Sequence, residues 1–214
     1  IFSFLIGIGA SVVEELVALG KERRLGMHRH SVICNTSNYS RVLLEELVTY
    51  YAKSFHAPRI AAMGERPTRY SYMLDGPVQR IRYRQGRPIS VHDLKRVDAD
   101  RASRVILLGR ADDAQSDAGV ISQILSVRQA NQECYIYAEL HRPDNVQAAI
   151  TAGMILPNGD DPEDEPDDKR TVPILADHMV GLFLANITVF PGVQELYWEL
   201  LTSRGDEIYT CLFD

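Results

Sequence analysis

Four short apolar runs most constrain this chain: SVIC at 31–34, RIAAMG at 59–64, RVILLG at 104–109 and CYIYAEL at 134–140. They are near-continuous rather than alternating, the pattern of strands buried on both faces of a parallel sheet. Helix-period segments lie between them. In SRVLLEELVTYYAKSF, Val42, Leu43, Leu47, Val48 and Tyr51 fall mostly on one helical face, and His56-Ala57-Pro58 closes the segment. SVHDLKRVDADRA opens on Ser90 as N-cap. DDAQSDAGVISQILSVRQAN carries the stripe Val120, Ile124, Val127, and RPDNVQAAITAG stops at Gly153. VQRIRYRQG reads as a partly exposed third strand and MILP as a short sixth. Alternation of this kind predicts an α/β fold, a Rossmann-like doubly wound parallel sheet over residues 30–158. Beyond it, TVPILADHMVGLFLANITVFPG is expected to be one long helix, apolar nearly all round and so in need of a partner. VQELYWELLTS follows as a shorter amphipathic helix, with Tyr197 and Trp198 read as packing residues.

In such a sheet the first strand-to-helix turn is normally glycine-rich, which lets the backbone approach a pyrophosphate at the helix N-terminus. Here that turn is Asn35-Thr36-Ser37-Asn38-Tyr39-Ser40, with no glycine. Thr36, Ser37 and Ser40 are expected to fill the space a pyrophosphate would use. The backbone amides and helix dipole remain, and Glu65 ends the second strand where a ribose-binding carboxylate would sit. A nucleotide such as NAD or ADP therefore has candidate contacts in Asn35, Thr36, Ser37, Asn38 and Glu65. The competing reading is a capped, empty turn with Asn35 or Ser37 as the cap.

Charge supplies two further candidates. GDDPEDEPDD at 159–168 holds seven of the 29 acidic residues; the remaining 22 nearly balance 23 basic ones, so the net charge of −6 is a local feature. Clustered carboxylates suit hard cations such as Ca2+. Asp160, Asp161, Asp164, Asp167 and Asp168 are the candidate ligands, against the alternative of a solvated acidic loop. At the carboxyl edge of the sheet, Asp112 and Asp117 with Glu139 form a second cation candidate, where Asp113 or Ser116 could equally cap the following helix.

Other chemistries find little support. The acidic balance and the lack of a basic stripe interleaved with aromatics argue against nucleic acid. Six scattered histidines lack zinc spacing, and no nucleophile motif is present. Cys34, Cys134 and Cys211 are expected to be reduced thiols. The opening IFSFLIGIGASVVEELVALGKERRLGM has an apolar run from Ile1 to Val13 followed, not preceded, by Lys21, Arg23 and Arg24. That order suits the cytoplasmic end of a membrane helix rather than a signal peptide, the alternative being an N-terminal helix packed on the domain.

The order of HRHSVIC, LKRVDADRASRVILLGRADDAQSDAGVISQILSVRQANQECYIYAEL and the following helix resembles RCK domains, the regulators of potassium conductance, kin to the TrkA N-terminal domain. TVFPGVQELYWELLTSRGDEIY resembles the helix-turn-helix crossover and first C-lobe strand of CASTOR/POLLUX-like ligand-gated ion channels. The resemblance implies a cytoplasmic gating-ring domain of a tetrameric potassium-type cation channel. Residues 1–29 would be the end of a pore-lining membrane helix and its linker, 159–170 an acidic loop, 171–205 the crossover and assembly element, and 206–214 the start of a C-lobe. The partners implied are the other subunits of a homotetramer, a pore domain and, through that pore, potassium ions. By composition and position the acidic run resembles the calcium bowl of calcium-activated potassium channels. A nucleotide-binding subunit of a Trk-type potassium transporter is the nearer alternative. An NAD-dependent oxidoreductase is the more distant one, since no catalytic constellation is legible and the chain is expected not to be an enzyme.

Overall fold

The computed structural model describes residues 22–53, 59–109, 116–155 and 169–203. Six strands form one sheet: β1 (Ser31–Cys34), β2 (Ile60–Gly64), β3 (Arg82–Gln85), β4 (Arg104–Leu107), β5 (Tyr135–Leu140) and β6 (Thr171–Leu175). Their order is β3-β2-β1-β4-β5-β6, and every pairing is parallel. This is the Rossmann-like order, with its reversal between β1 and β4. The central strands are apolar on both faces because both faces are covered. One face packs against Leu94 and Val97 around α2 (Val91–Arg96), Val120, Ile124 and Val127 of α3 (Ser116–Ala130), and Ala149 of α4 (Val146–Ala152). The other packs against Leu44 and Val48 of α1 (Arg41–Lys53) and against Tyr70, Met73, Val78 and Ile81. Ser90 caps α2 by accepting from Asp93 N at 3.3 Å.

Several elements depart from the periodicity. On α1 the buried residues are Leu44 and Val48, while Val42 points to solvent. Leu43, Leu47 and Tyr51 pack partly buried beside them, so the face is the expected one with Leu44 in place of Val42. The third strand is shorter than VQRIRYRQG, because Pro77–Arg80 form a 3-10 turn ahead of Arg82. Of MILP, Ile155 forms an isolated bridge and residues 156–157 lie outside the described residues; the sixth strand of the sheet lies elsewhere. It is Thr171–Leu175, drawn from the start of the expected long helix, so α5 begins only at Ala176 and runs to Val189. Thr171, Val172 and Ile174 are β-branched, and Pro173 cannot donate within a helix interior. An edge strand tolerates that proline, and β6 pairs only with β5.

Among the described residues no helix packs on the second face over β5 and β6. Tyr135, Val172 and Ile174 are exposed there. Helices α5 and α6 (Val193–Leu201) pack on each other through Phe183 and Tyr197, whose rings cross edge-on at 4.8 Å. Neither helix contains a buried residue; Leu182, Leu184 and Leu196 are exposed, and Trp198 is 70% exposed. Past the end of α6, the Ser203 amide is tied to Glu46 of α1 at 2.8 Å. Among the described residues no helix is long and apolar enough to cross a membrane. The apolar run Ile1 to Val13 and residues 206–214 lie outside the described residues.

Cys34 and Cys134 are free and buried. Burial pushes their thiols up to about 12 and about 11, so both stay protonated and inert. Cys211 lies outside the described residues.

Candidate functional site

A cleft of about 670 Å³ opens at the carboxyl edge of the sheet, where the strand order reverses. The β1–α1 turn, Glu65 and Arg66 after β2, Leu108 and Gly109 after β4, and Glu139 of β5 line it. Asn35, Thr36, Ser37 and Glu65 are thus brought together as the sequence suggested, with Asn38 between Ser37 and Tyr39 on the same turn.

The turn replaces glycine chemistry with side-chain chemistry. Asn35 adopts φ +59°, the left-handed region that asparagine tolerates better than most residues. Its amide donates to Leu108 O and to Gln123 Oε1, both at 2.8 Å, stitching the turn to β4 and α3 across the switch point. Thr36 lines the cleft, but its polar side chain is committed within the protein. It is buried, turned back between β1 and β2, with its Oγ1 at 3.0 Å and its amide at 2.9 Å from Met63 O. Ser37 and Ser40 form a capping box: the Ser37 amide donates to Ser40 Oγ at 2.9 Å, and Tyr39 N donates to Ser37 Oγ at 3.2 Å. The turn carbonyls are capped too. Tyr70 donates to Thr36 O at 2.7 Å and Tyr72 to Ser37 O at 2.8 Å, with the two rings stacked. Burial and the neighbouring Tyr70 push Tyr72 up to about 12; burial does the same to Tyr83. These phenols therefore remain donors throughout the neutral range. Tyr70 and Tyr72 are site residues that sequence reading missed. They sit outside any periodic element, in a stretch that spacing alone gives no role.

This arrangement does not fit a pyrophosphate in the way a glycine-rich loop does. Four turn amides, those of Thr36, Ser37, Tyr39 and Ser40, already have acceptors inside the protein. A phosphate would have to displace them. What the cleft does offer is a wall of Leu43 and Leu108, the Tyr70 ring with the Arg66 guanidinium 5.1 Å above it, and two rim carboxylates.

Gly64 is required at the floor. A Cβ there would stand 2.8 Å from Thr36 Oγ1, 3.0 Å from Thr36 O and 3.0 Å from the Tyr83 hydroxyl. Gly64→Ala is expected to cost about 2 kcal/mol in chemical denaturation by forcing the turn off β2. A loss below about 0.5 kcal/mol would show that the turn is free to shift.

The acidic candidates separate. Asp117 and Glu139 lie on the same edge but are committed differently. Asp117 accepts from the His141 amide at 2.9 Å, the Arg142 amide at 3.0 Å and Asn145 Nδ2 at 2.7 Å. Burial acts to raise its pKa, but these three donors outweigh it and hold the carboxyl below the ordinary value. Glu139 accepts from the Gly109 amide at 2.9 Å. Among the described residues no group of three or more histidine, cysteine, aspartate or glutamate side chains is placed to hold a metal. Asp112, Asp160, Asp161, Asp164, Asp167 and Asp168 lie outside the described residues.

Comparison with known proteins agrees on the fold. The TrkA-N domain of the inner membrane protein YbaL from Escherichia coli superposes with a TM-score of 0.55 at 13% identity, over 76% of this chain and 98% of that one. The human SLO3 gating ring gives 0.53 at 17% identity, over 86% of this chain and 30% of that one. GsuK bound to ADP gives 0.51 at 18%, over 84% and 42%. The chain thus spans less than half the length of the latter two. No curated protein sequence matches it. The family profile for the calcium-activated potassium channel slowpoke-like RCK domain matches residues 26–138, just over half the chain, from the entering segment into β5. With that match on the six-stranded parallel sheet, the chain belongs to the slowpoke-like RCK domain family.

Proposed function

We propose that this chain is the ligand-sensing, ring-forming domain of a tetrameric potassium-type cation channel of CASTOR/POLLUX-like kind. Residues 1–29 would lead in from a pore-lining helix and the domain would lie on the cytoplasmic side of the membrane. It works by binding and mechanical coupling, not by catalysis. The observation that carries the reading is the uncovered apolar surface. An α5–α6 hairpin without a buried residue, beside a sheet face open at Tyr135, Val172 and Ile174, leaves more apolar surface than a lone domain usually exposes. Copies of the same chain would cover it, as closed oligomers cover theirs.

Ca2+ is the regulatory ligand in this reading, held by the 159–168 stretch. Arg128 holds the chain on both sides of that stretch, through Gly153 O at 2.7 Å and Arg170 O at 3.1 Å. A cation there would shift the ring by binding one conformation more tightly. A nucleotide such as NAD or ADP in the switch-point cleft is the second reading. The cleft's place and Glu65 at its rim favour it, and the SLO3 gating ring and GsuK with ADP share its fold. The committed turn amides weigh against it.

Sedimentation velocity tests the first reading. The chain is expected to self-associate, and Leu184→Glu with Trp198→Glu to leave it monomeric. Added calcium should shift the association in the wild type but not after Asp160, Asp161, Asp164, Asp167 and Asp168 are changed to Asn. A monomer at every concentration would remove the ring. A calcium response retained by the Asn variant would remove the acidic stretch as its site.

A further inference from the structure

The edge strand β3 places Arg82 and Arg84 on one face, two residues apart, beside the chain that enters the domain. Arg82 Nη1 donates to Leu25 O at 2.7 Å. Arg84 is poorly served. Its Nη2 reaches Arg23 O at 3.4 Å and its Nη1 reaches Tyr83 O at 3.3 Å, while its Nε is buried without a partner. Arg96 of α2 lies against the same residues: its carbonyl accepts from the Leu25 amide at 3.2 Å. Among the described residues no carboxylate is paired with Arg84. Asp93, the nearest acid of α2, accepts from the Arg87 amide at 2.9 Å and from Arg96 at 3.3 Å. Arg96 is paired with Asp93 and, at 3.7 Å, with Glu22. Burial first, then the charges of Arg96, Arg82 and Arg69, hold Arg84 below its ordinary pKa.

We propose that Arg84, with Arg82 and Arg96 beside it, is an anion site for a phosphate-class ligand, and that occupancy competes with the grip of β3 on residues 23–25. A tetrahedral oxyanion matches what the guanidinium lacks, two acceptors presented together. Turning Arg82 and Arg84 toward it would draw them off Leu25 O and Arg23 O. The ligand would thus loosen the entering segment from the sheet. This site is on the far side of β2 and β3 from the switch-point cleft turn, uses none of its residues, and stands whether or not the channel reading holds.

Inorganic tripolyphosphate, titrated at ionic strength matched with chloride, is the probe. The wild type is expected to bind, Arg84→Gln to bind about tenfold more weakly, and Arg84→Lys to fall between, as one charge-assisted hydrogen bond implies. Bound ligand should also speed amide exchange at Leu25 in the wild type. Vesicles of phosphatidylglycerol and of phosphatidylcholine separate the sources. Capture by the first alone, lost in Arg84→Gln, assigns a lipid headgroup, and competition by free tripolyphosphate assigns the phosphate itself. Equal binding by wild type and Arg84→Gln, with Arg84→Lys folded and binding equally, would overturn the site. So would no binding beyond chloride.

Discussion

Arg128→Met is expected to lower stability by about 3 kcal/mol, the largest loss for any single charged-to-apolar swap in the sheet's second half. Arg128 sits in the last turn of α3 and is 7% exposed. Its guanidinium donates to Gly153 O at 2.7 Å, Cys134 O at 2.7 Å, Gln132 O and Arg170 O at 3.1 Å, and Thr171 Oγ1 at 3.1 Å. A buried charge persists only when such acceptors replace its water. One side chain therefore joins the C-terminus of α3, the start of β5, the end of α4 and the start of β6. Methionine keeps the volume but orphans these carbonyls, each of which costs its desolvation. Urea unfolding should show the midpoint falling with the slope unchanged. Exchange at the Ile136 amide, bonded to Arg170 O at 2.8 Å, should rise first, because β6 is an edge strand. A loss under about 1 kcal/mol would mean that water replaces the guanidinium and that β6 is held by its ladder alone.

Arg128 also shows what a sequence conceals. The α3 stripe Val120, Ile124, Val127 was legible because burial follows the helical period. The residue after the stripe looks like a surface cation, and only the fold reveals that three chain segments aim four carbonyls at it. The sixth strand was hidden for another reason. Apolar content over 171–190 suggested one helix, and the β-branched residues with Pro173 carried the contrary signal that apolarity outweighed. The glycine-free turn lay between these cases. Its position, its cap at Ser37 and the neighbouring Glu65 followed from the βαβ pattern. That Asn35 would take the left-handed conformation, and that the Thr36 hydroxyl would be committed to β2, depend on partners at Met63 and Leu108 that are distant in sequence. Tyr70 and Tyr72 close the same turn from a stretch without period, and the carbonyls they cap are visible only in three dimensions.

The second large effect is expected at Asp98, where the entering segment is fastened. Asp98 holds φ +54° and is 1% exposed. One carboxylate oxygen accepts from Arg24 Nε at 2.8 Å and the other from the Met27 amide at 2.7 Å; Asp100 pairs with the far side of the same guanidinium. Three substitutions divide the contributions. Asp98→Ala loses both bonds and strains a left-handed backbone, for about 3 kcal/mol. Asp98→Gly keeps the backbone at ease and loses the carboxylate, for about 2 kcal/mol. Asp98→Asn keeps the left-handed preference and one acceptor, for about 1 kcal/mol. Amide exchange then locates the loss. The Leu25 and Arg29 amides are bonded to Arg96 O and Arg101 O, on either side of Met27. If Asp98 is the latch, all three amides exchange faster in Asp98→Ala, since freeing Met27 unzips its neighbours. If Leu25 and Arg29 keep their protection, the segment is held by its backbone bonds and by Arg82, and Asp98 fastens one residue only. The distinction matters for coupling. A segment fastened at a single buried carboxylate passes any pull on residue 22 to α2 and the base of the sheet as a unit, whereas one held by many weak contacts would let go a contact at a time.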